Sequence, residues 1–246
     1  MNRMILLSGP SCIGKSPLCK ALQRFNPELM KHWQTIVIIN SRQPRPGETD
    51  GVDYYFKTRH DIESLRDRPG FLVRQVRNDL QAVDVREVQE LLGRGDVFFE
   101  GNPVIAAELR RVGLETGAHV LSVFLAPLSR EEILFLQDPA RNVDMAQLVK
   151  EMMQRKLLRR AKTQKTNLSI DDLRDIDARA SSAYNELKCA CEYDAVIPNH
   201  DGEDSENWDA FYYPLGDARK TFHAFLQLLE GAPCPHAEHW EADLLR

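Results

Sequence analysis

Short apolar runs recur along the chain, separated by stretches of mixed polarity. Residues 4–8 (Met-Ile-Leu-Leu-Ser) stop at Gly9 and predict a buried strand. Further buried strands are predicted at Thr35–Asn40, Val97–Glu100, His119–Ala126 and Ala195–Ile197. Helical patterns lie between most of them, beginning with residues 15–25, where Pro17 falls in the first turn and is tolerated. Strands alternating with helices predict a mostly parallel sheet covered on both faces.

Two regions depart from this alternation. Residues 41–84 contain Pro44, Pro46, Gly47 and Gly51, then strand-like stretches at 53–58 and 71–77, which predict a small, partly antiparallel insert. Residues 138–188 are rich in charge and read as helices. Met145, Leu148, Val149, Met152 and Met153 repeat there at helical spacing, which predicts a face packed on the core or on a neighbouring helix. There is no internal repeat. The tail from Asp201 is acidic at first, passes through Phe211-Tyr212-Tyr213 and enters a predicted helix at 217–230, without a chemical signal of its own.

Composition narrows the classes. A chain of 246 residues accommodates one large domain, and the formal charge of −5 gives no general surface for nucleic acid or anionic membrane. No stretch approaches the roughly 20 apolar residues that span a bilayer. The N-terminus lacks the apolar stretch and cleavage site of a signal peptide, so the expectation is a soluble cytoplasmic protein. The five cysteines form no framework and read as reduced thiols. Cys234, His236 and His239 lack a four-ligand zinc spacing.

The strongest chemical signal follows the first strand. Gly9-Pro10-Ser11-Cys12-Ile13-Gly14-Lys15-Ser16 matches G-x-x-x-x-G-K-[ST] at every fixed position. The glycines let successive N–H groups turn into one cradle for a phosphate, and the following helix adds its N-terminal dipole. Lys15 then reaches the β and γ phosphates of ATP, and Ser16 ligates Mg²⁺. A second segment, Ser41-Arg42-Gln43-Pro44-Arg45-Pro46-Gly47-Glu48, precedes Asp53-Tyr54-Tyr55-Phe56. Two arginines three apart in a proline-stiffened loop make a fork suited to phosphate oxygens, with a tyrosine hydroxyl as a further donor. Taken alone, the same residues read equally well as a solvated basic loop.

Together, Gly-Pro-Ser-x-x-Gly-Lys-Ser and Ser-Arg-x-Pro-Arg-x-Gly-Glu-x-x-Gly-x-Asp-Tyr-x-Phe resemble the guanylate kinase family, and Tyr193–Asn199 resembles that family's last core strand. The resemblance covers roughly residues 3–200. It implies that Ser41, Arg42, Arg45 and Tyr54 hold the acceptor's phosphate side, and that Glu100 and Asn102 lie where the family places acidic residues between acceptor and donor. It implies that Arg159, Arg160 and Arg179 are catalytic candidates from a helical lid, beside Lys15, and that Asn199 lies near the adenine of the donor. The family's guanine-reading positions are altered: Val73 stands where a Glu is usual, Ile38 where a Ser is usual, and Ala82-Val83-Asp84 replaces a Tyr-Gly-Ser/Thr turn. Asp84 and Asn78 are the available substitutes.

The expected fold is α/β: a P-loop three-layer sandwich with a mostly parallel sheet, a small inserted acceptor-binding subdomain and a helical lid. The core takes about 1–40, 85–137 and 189–230, the insert about 41–84, the lid about 138–188 and the tail about 231–246. The expected activity is ATP- and Mg²⁺-dependent phosphorylation of a nucleoside monophosphate, GMP or dGMP, by a monomer or homodimer without nucleic-acid or membrane partners. Three alternatives stay open: a kinase of another phosphorylated small molecule, a non-catalytic guanylate-kinase-like binding module, and an NTPase that drives a conformational change.

Overall fold

The structure is a computed structural model and describes residues 2–45 and 47–245; Met1, Arg246 and Pro46 of the arginine loop lie outside the described residues. In chain order the elements are β1 (Arg3–Ser8), α1 (Lys15–Phe25), α2 (Pro27–Met30), β2 (Gln34–Thr35), β3 (Ile39–Asn40), β4 (Tyr55–Phe56), α3 (Arg59–Glu63), β5 (Phe71–Val76), β6 (Asp79–Asp84), α4 (Val85–Arg94), β7 (Val97–Gly101), α5 (Pro103–Glu115), β8 (His119–Ala126), α6 (Arg130–Leu136), α7 (Met145–Gln164), α8 (Ile170–Lys188), β9 (Ala195–Pro198) and α9 (Gly216–Glu230). One sheet runs β2-β7-β1-β8-β9, with β2 parallel to β7 and β8 parallel to β9; a second runs β4-β3-β6-β5. The mixed α/β class with a mostly parallel sheet is as expected.

The chain divides into two compact units, Met1–Leu6 with Lys31–Leu121, and Leu7–Met30 with Ser122–Arg246. In the first unit, the β5–β6 hairpin pairs antiparallel over six residue pairs and β3 adds antiparallel to β6. Ile62, Val73, Leu80 and Ala82 form the core of this small sheet, with Ile39 and Leu65 against it. A complete capping box between Thr58 and Asp61 starts α3, which supplies Ile62. Asp84 ends β6 and caps α4 by accepting from the N–H groups of Arg86 and Glu87.

In the second unit, α7 buries Met145, Val149, Met153 and Leu157, a strict four-residue spacing. These meet Ile176, Ala180, Ala183 and Leu187 of α8 in one core cluster, and Leu148 and Met152 pack against it. The predicted stripe is therefore core. Each such side chain contributes roughly 1.5–3 kcal/mol of burial. The tail joins the same cluster through Trp240, Leu244 and Leu245, and Glu238 bridges antiparallel to Val196 on β9, covering an edge strand.

Three expected boundaries change. The run 35–40 is not one strand: Gln34 and Thr35 pair with β7, whereas Ile39 and Asn40 pair with β6 and β4 in the other sheet. An apolar run does not reveal such a change of sheet, because the strands that each end pairs with lie far along the chain. The stretch at 53–58 contributes only Tyr55 and Phe56. Residues 82–84 are not a turn but the end of β6. The turn lies at Arg77-Asn78, where Arg77 takes φ 56°, a position usually signalled by Gly or Asn.

Candidate functional site

The phosphate loop belongs to the second unit. Gly9 has φ 144°, and a Cβ there would sit 2.4 Å from the carbonyl oxygen of Leu125. Gly14 has φ 104°, and a Cβ would meet the Asn199 amide nitrogen at 2.5 Å. Both positions thus exclude a side chain by conformation and by space. Gly14 caps α1 in the left-handed conformation without a side-chain bond, and no acidic residue occupies the first turn. Lys15 is 7% exposed, and its ammonium donates to the carbonyls of Gly9 at 2.9 Å and Pro10 at 2.8 Å. Ser16 is half-buried on the same turn. Cys12 is buried with φ 68°, and burial, reinforced by Glu203, pushes its thiol up to about 12. It is a packed, protonated thiol rather than a nucleophile.

Asn199 braces this loop from behind. It is fully buried, and its amide donates to the carbonyls of Ile13 at 2.7 Å and Asp201 at 2.8 Å, while its oxygen accepts from the N–H of Asp201. Ile13 precedes the cap residue Gly14, so its carbonyl lies outside the hydrogen-bond ladder of α1 and takes its donor from Asn199. Both amide hydrogens of Asn199, expected beside the donor's base, are engaged with backbone carbonyls.

Arg159 and Arg160 of α7 and Arg179 of α8 lie in the same unit and meet carboxylates. Arg160 pairs with Glu203, Arg159 with Asp204 at 3.7 Å, and Lys156 with Asp204 at 3.8 Å. Arg179 is 3% exposed and pairs with Asp175 at 2.5 Å, and Asp175 also acts on Arg160. Burial opposes the charge on Arg160, but Glu203 outweighs it and keeps the guanidinium above its ordinary value. Lys156, Arg160, Glu203 and Asp204 all act electrostatically on Cys12, so the cluster lies beside the phosphate loop. Glu203 is further tied to that loop by its N–H bond to the carbonyl of Cys12.

The arginine loop forms a cluster of its own in the first unit. Both terminal nitrogens of Arg42 donate to Glu48 at 2.6 Å, a bidentate fork on a planar oxyanion. The guanidinium rests 4.8 Å from the ring centre of Tyr54 and 5.5 Å from that of Phe56. Arg45 donates its N–H to Glu48 at 2.8 Å, and its guanidinium lies 4.0 Å from the same carboxylate. Burial pulls Arg42 down, but Glu48 and Tyr54 outweigh it and hold it above its usual range. Burial would raise Glu48, yet Arg42 and Arg45 hold it below the usual carboxylate range. Burial, helped by Glu100 and Glu48 against the two arginines, raises Tyr54, which stays a protonated donor. Arg42, Arg45, Tyr54 and Glu100 are thus brought together.

Ser41 and Asn102 are occupied structurally. The Ser41 hydroxyl accepts from the N–H of Leu80 at 2.8 Å, and the Asn102 side chain caps α5 by accepting from Val104. The altered base positions also resolve. Val73 packs in the small core, and Ile38 is 4% exposed, so neither presents a group to a ligand. Asp84 caps α4, and Asn78 lies in the hairpin turn between β5 and β6. Sequence reasoning missed Glu48 as the partner of Arg42, Glu203 and Asp204 as partners of the lid cations, and Asn40 and Gln81 as buried polar groups. Only the acidic character of the segment after Asp201 was a signal for any of these.

A parallel sheet whose first strand runs through a glycine turn into a helix headed by Lys15 and Ser16 defines a P-loop nucleotide-binding protein. A family model described as "Guanylate kinase" matches residues 1–207, and the chain belongs to the guanylate kinase family. A guanylate kinase of Rickettsia bellii is 28% identical over 204 residues, covering 82% of this chain and 88% of the relative. One of Rickettsia felis is 30% identical over 200 residues, covering 80% and 85%. The crystal structure of guanylate kinase from Anaplasma phagocytophilum superposes with a TM-score of 0.52 at 18% identity, covering 94% of this chain and 85% of that one.

Proposed function

We propose that this phosphotransferase moves the γ-phosphate of ATP to the 5′-phosphate of GMP. The observation that carries this reading is a second oxyanion grip besides the P-loop: the two-nitrogen fork of Arg42 on Glu48, flanked by Arg45 and the protonated Tyr54. A nucleotide hydrolase needs one phosphate site, whereas a nucleoside monophosphate kinase needs two. Glu48 shows the oxyanion geometry that the fork accepts, and an acceptor phosphate takes its place.

The donor triphosphate lies on the loop Gly9–Ser16, where the main-chain N–H groups and Lys15 neutralise its β and γ phosphates. The glycine-only backbone at Gly9 and Gly14 fits that group, because a Cβ at either would collide with the Leu125 carbonyl or the Asn199 amide and displace the loop. Ser16 would hold Mg²⁺, which supplies charge neutralisation when bound. Arg42, Arg45 and Tyr54 position the acceptor, whose phosphate oxygen is already ionised and needs no tuned base. Arg160, Arg159 and Arg179 are the lid cations available to the transferred group, and Lys15 is the catalytic cation.

The test is a coupled ADP-release assay with ATP and GMP, dGMP, AMP, UMP, CMP or ribose 5-phosphate. Turnover with GMP supports the reading. Turnover only with a different acceptor, or none with any, overturns it.

A further inference from the structure

Four residues line one row across the small sheet. Phe56 on β4 pairs in register with Asn40 on β3, Asn40 with Gln81 on β6, and Gln81 with Arg74 on β5. Strand alternation places this row on the face opposite Ile39, Ala82 and Val73, which form or pack against the small core. One end of the row is the phosphate clamp: Arg42 rests over Phe56, and its N–H donates to the Asn40 side-chain oxygen at 3.2 Å. The other end is Arg74, bonded to Glu108 at 2.7 Å. Between them sits Gln81, 8% exposed, whose side-chain oxygen is shielded from solvent and accepts no hydrogen bond from the described residues. Native proteins leave few buried amide oxygens without a donor. Two strand spacings separate Gln81 from β4, roughly 10 Å, which is on the scale that separates a 5′-phosphate from the base edge of a nucleotide.

We infer that Gln81 is a specificity-determining residue that reads the base of the acceptor nucleotide as a 6-oxopurine. Its oxygen accepts from the ring N1–H, and its amide donates to the neighbouring carbonyl. This rests on the proposed phosphorylation of GMP. It supplies the base-reading group that Val73 cannot. It also predicts a difference in selectivity. A carboxylate has two acceptor oxygens and can take both N1–H and a 2-amino group, whereas a carboxamide has one acceptor and leaves the 2-amino group unread.

The test measures kcat and KM for GMP, IMP and AMP at saturating ATP, in the parent and in Gln81→Leu and Gln81→Glu, with the thermal midpoint of each. The parent is expected to use GMP and IMP with kcat/KM values within roughly tenfold of each other and to reject AMP. Gln81→Leu raises KM for both 6-oxopurines by about tenfold or more, with kcat and the KM for ATP little changed, and its midpoint does not fall, because an apolar group of similar size replaces an unpaired amide. Gln81→Glu shifts the GMP-to-IMP ratio toward GMP by about tenfold or more. Unchanged acceptor KM in the Leu variant, a fallen midpoint with unchanged KM, or a parent that uses AMP as well as GMP overturns the inference alone. A parent that turns over no nucleoside monophosphate overturns the functional reading and this inference with it.

Discussion

Replacing Asn199 with alanine tests whether this side chain holds the phosphate loop or reads the donor's base. In the parent it is fully buried and donates at 2.7 Å to the carbonyl of Ile13, which precedes the α1 ladder. Truncation leaves that carbonyl buried without its donor, which costs about 1–3 kcal/mol. The second lost bond, to the carbonyl of Asp201, is partly covered by the indole N–H of Trp208 at 2.7 Å, so it adds roughly 1 kcal/mol. The sum is about 2–4 kcal/mol. In a chain of this length each kcal/mol moves the midpoint by about 2–4 °C, so calorimetry is expected to show a fall of roughly 5–15 °C. Because the loop loses its support and no base contact is lost, KM for ATP and for GTP as donors rises by the same factor. A variant that melts within about 2 °C of the parent, yet loses its preference between the two donors, would refute the bracing role and restore Asn199 as a base contact.

Two further outcomes follow from the second unit. Glu203→Gln removes the carboxylate that occupies Arg160, so KM for ATP is expected to fall roughly threefold to tenfold as the guanidinium becomes available to phosphate; a rise in KM, measured by steady-state kinetics, would mean that Glu203 supports the site rather than competes for it. His200 lies between Asp217 at 2.6 Å and Glu132 at 2.9 Å. Burial lowers its pKa, but the two carboxylates outweigh this and raise it above 6.5. A folded value above the unfolded one stabilises fully below the unfolded pKa, about 6.5, and that stabilisation disappears as pH rises through the folded value. The midpoint difference between the parent and His200→Gln is therefore largest near pH 5.5–6, a window about one unit below 6.5, and shrinks in alkaline buffer; a difference that grows with pH contradicts the assignment.

The legible parts of this protein were those whose physics is local. A glycine turn between an apolar run and a helix needs only neighbouring residues, so β1, the loop and α1 stand where the pattern put them. The α7 stripe was equally readable, because burial on a helix face repeats at fixed spacing. What escaped was set by partners distant in sequence. Nothing near Thr35–Asn40 indicates that its two ends pair in different sheets. Asn199 sits at the end of β9, yet its partner Ile13 lies 186 residues away. A position in a motif does not reveal which face of a strand it occupies, and the register of β5 on β6 turns Val73 into the core rather than toward a ligand. Gln81 on the neighbouring strand faces the other way for the same reason, and no local pattern distinguishes it from a surface glutamine.

The most direct measurement is the initial rate of ADP formation from ATP as GMP is varied, with the nucleotide products separated by chromatography, in the parent and in Lys15→Ala. The account predicts a saturable, GMP-dependent rate in the parent with GDP and ADP formed in equal amounts, and loss of that rate in the variant. ADP formation that does not depend on GMP, or a Lys15→Ala protein that makes GDP as fast as the parent, would contradict it.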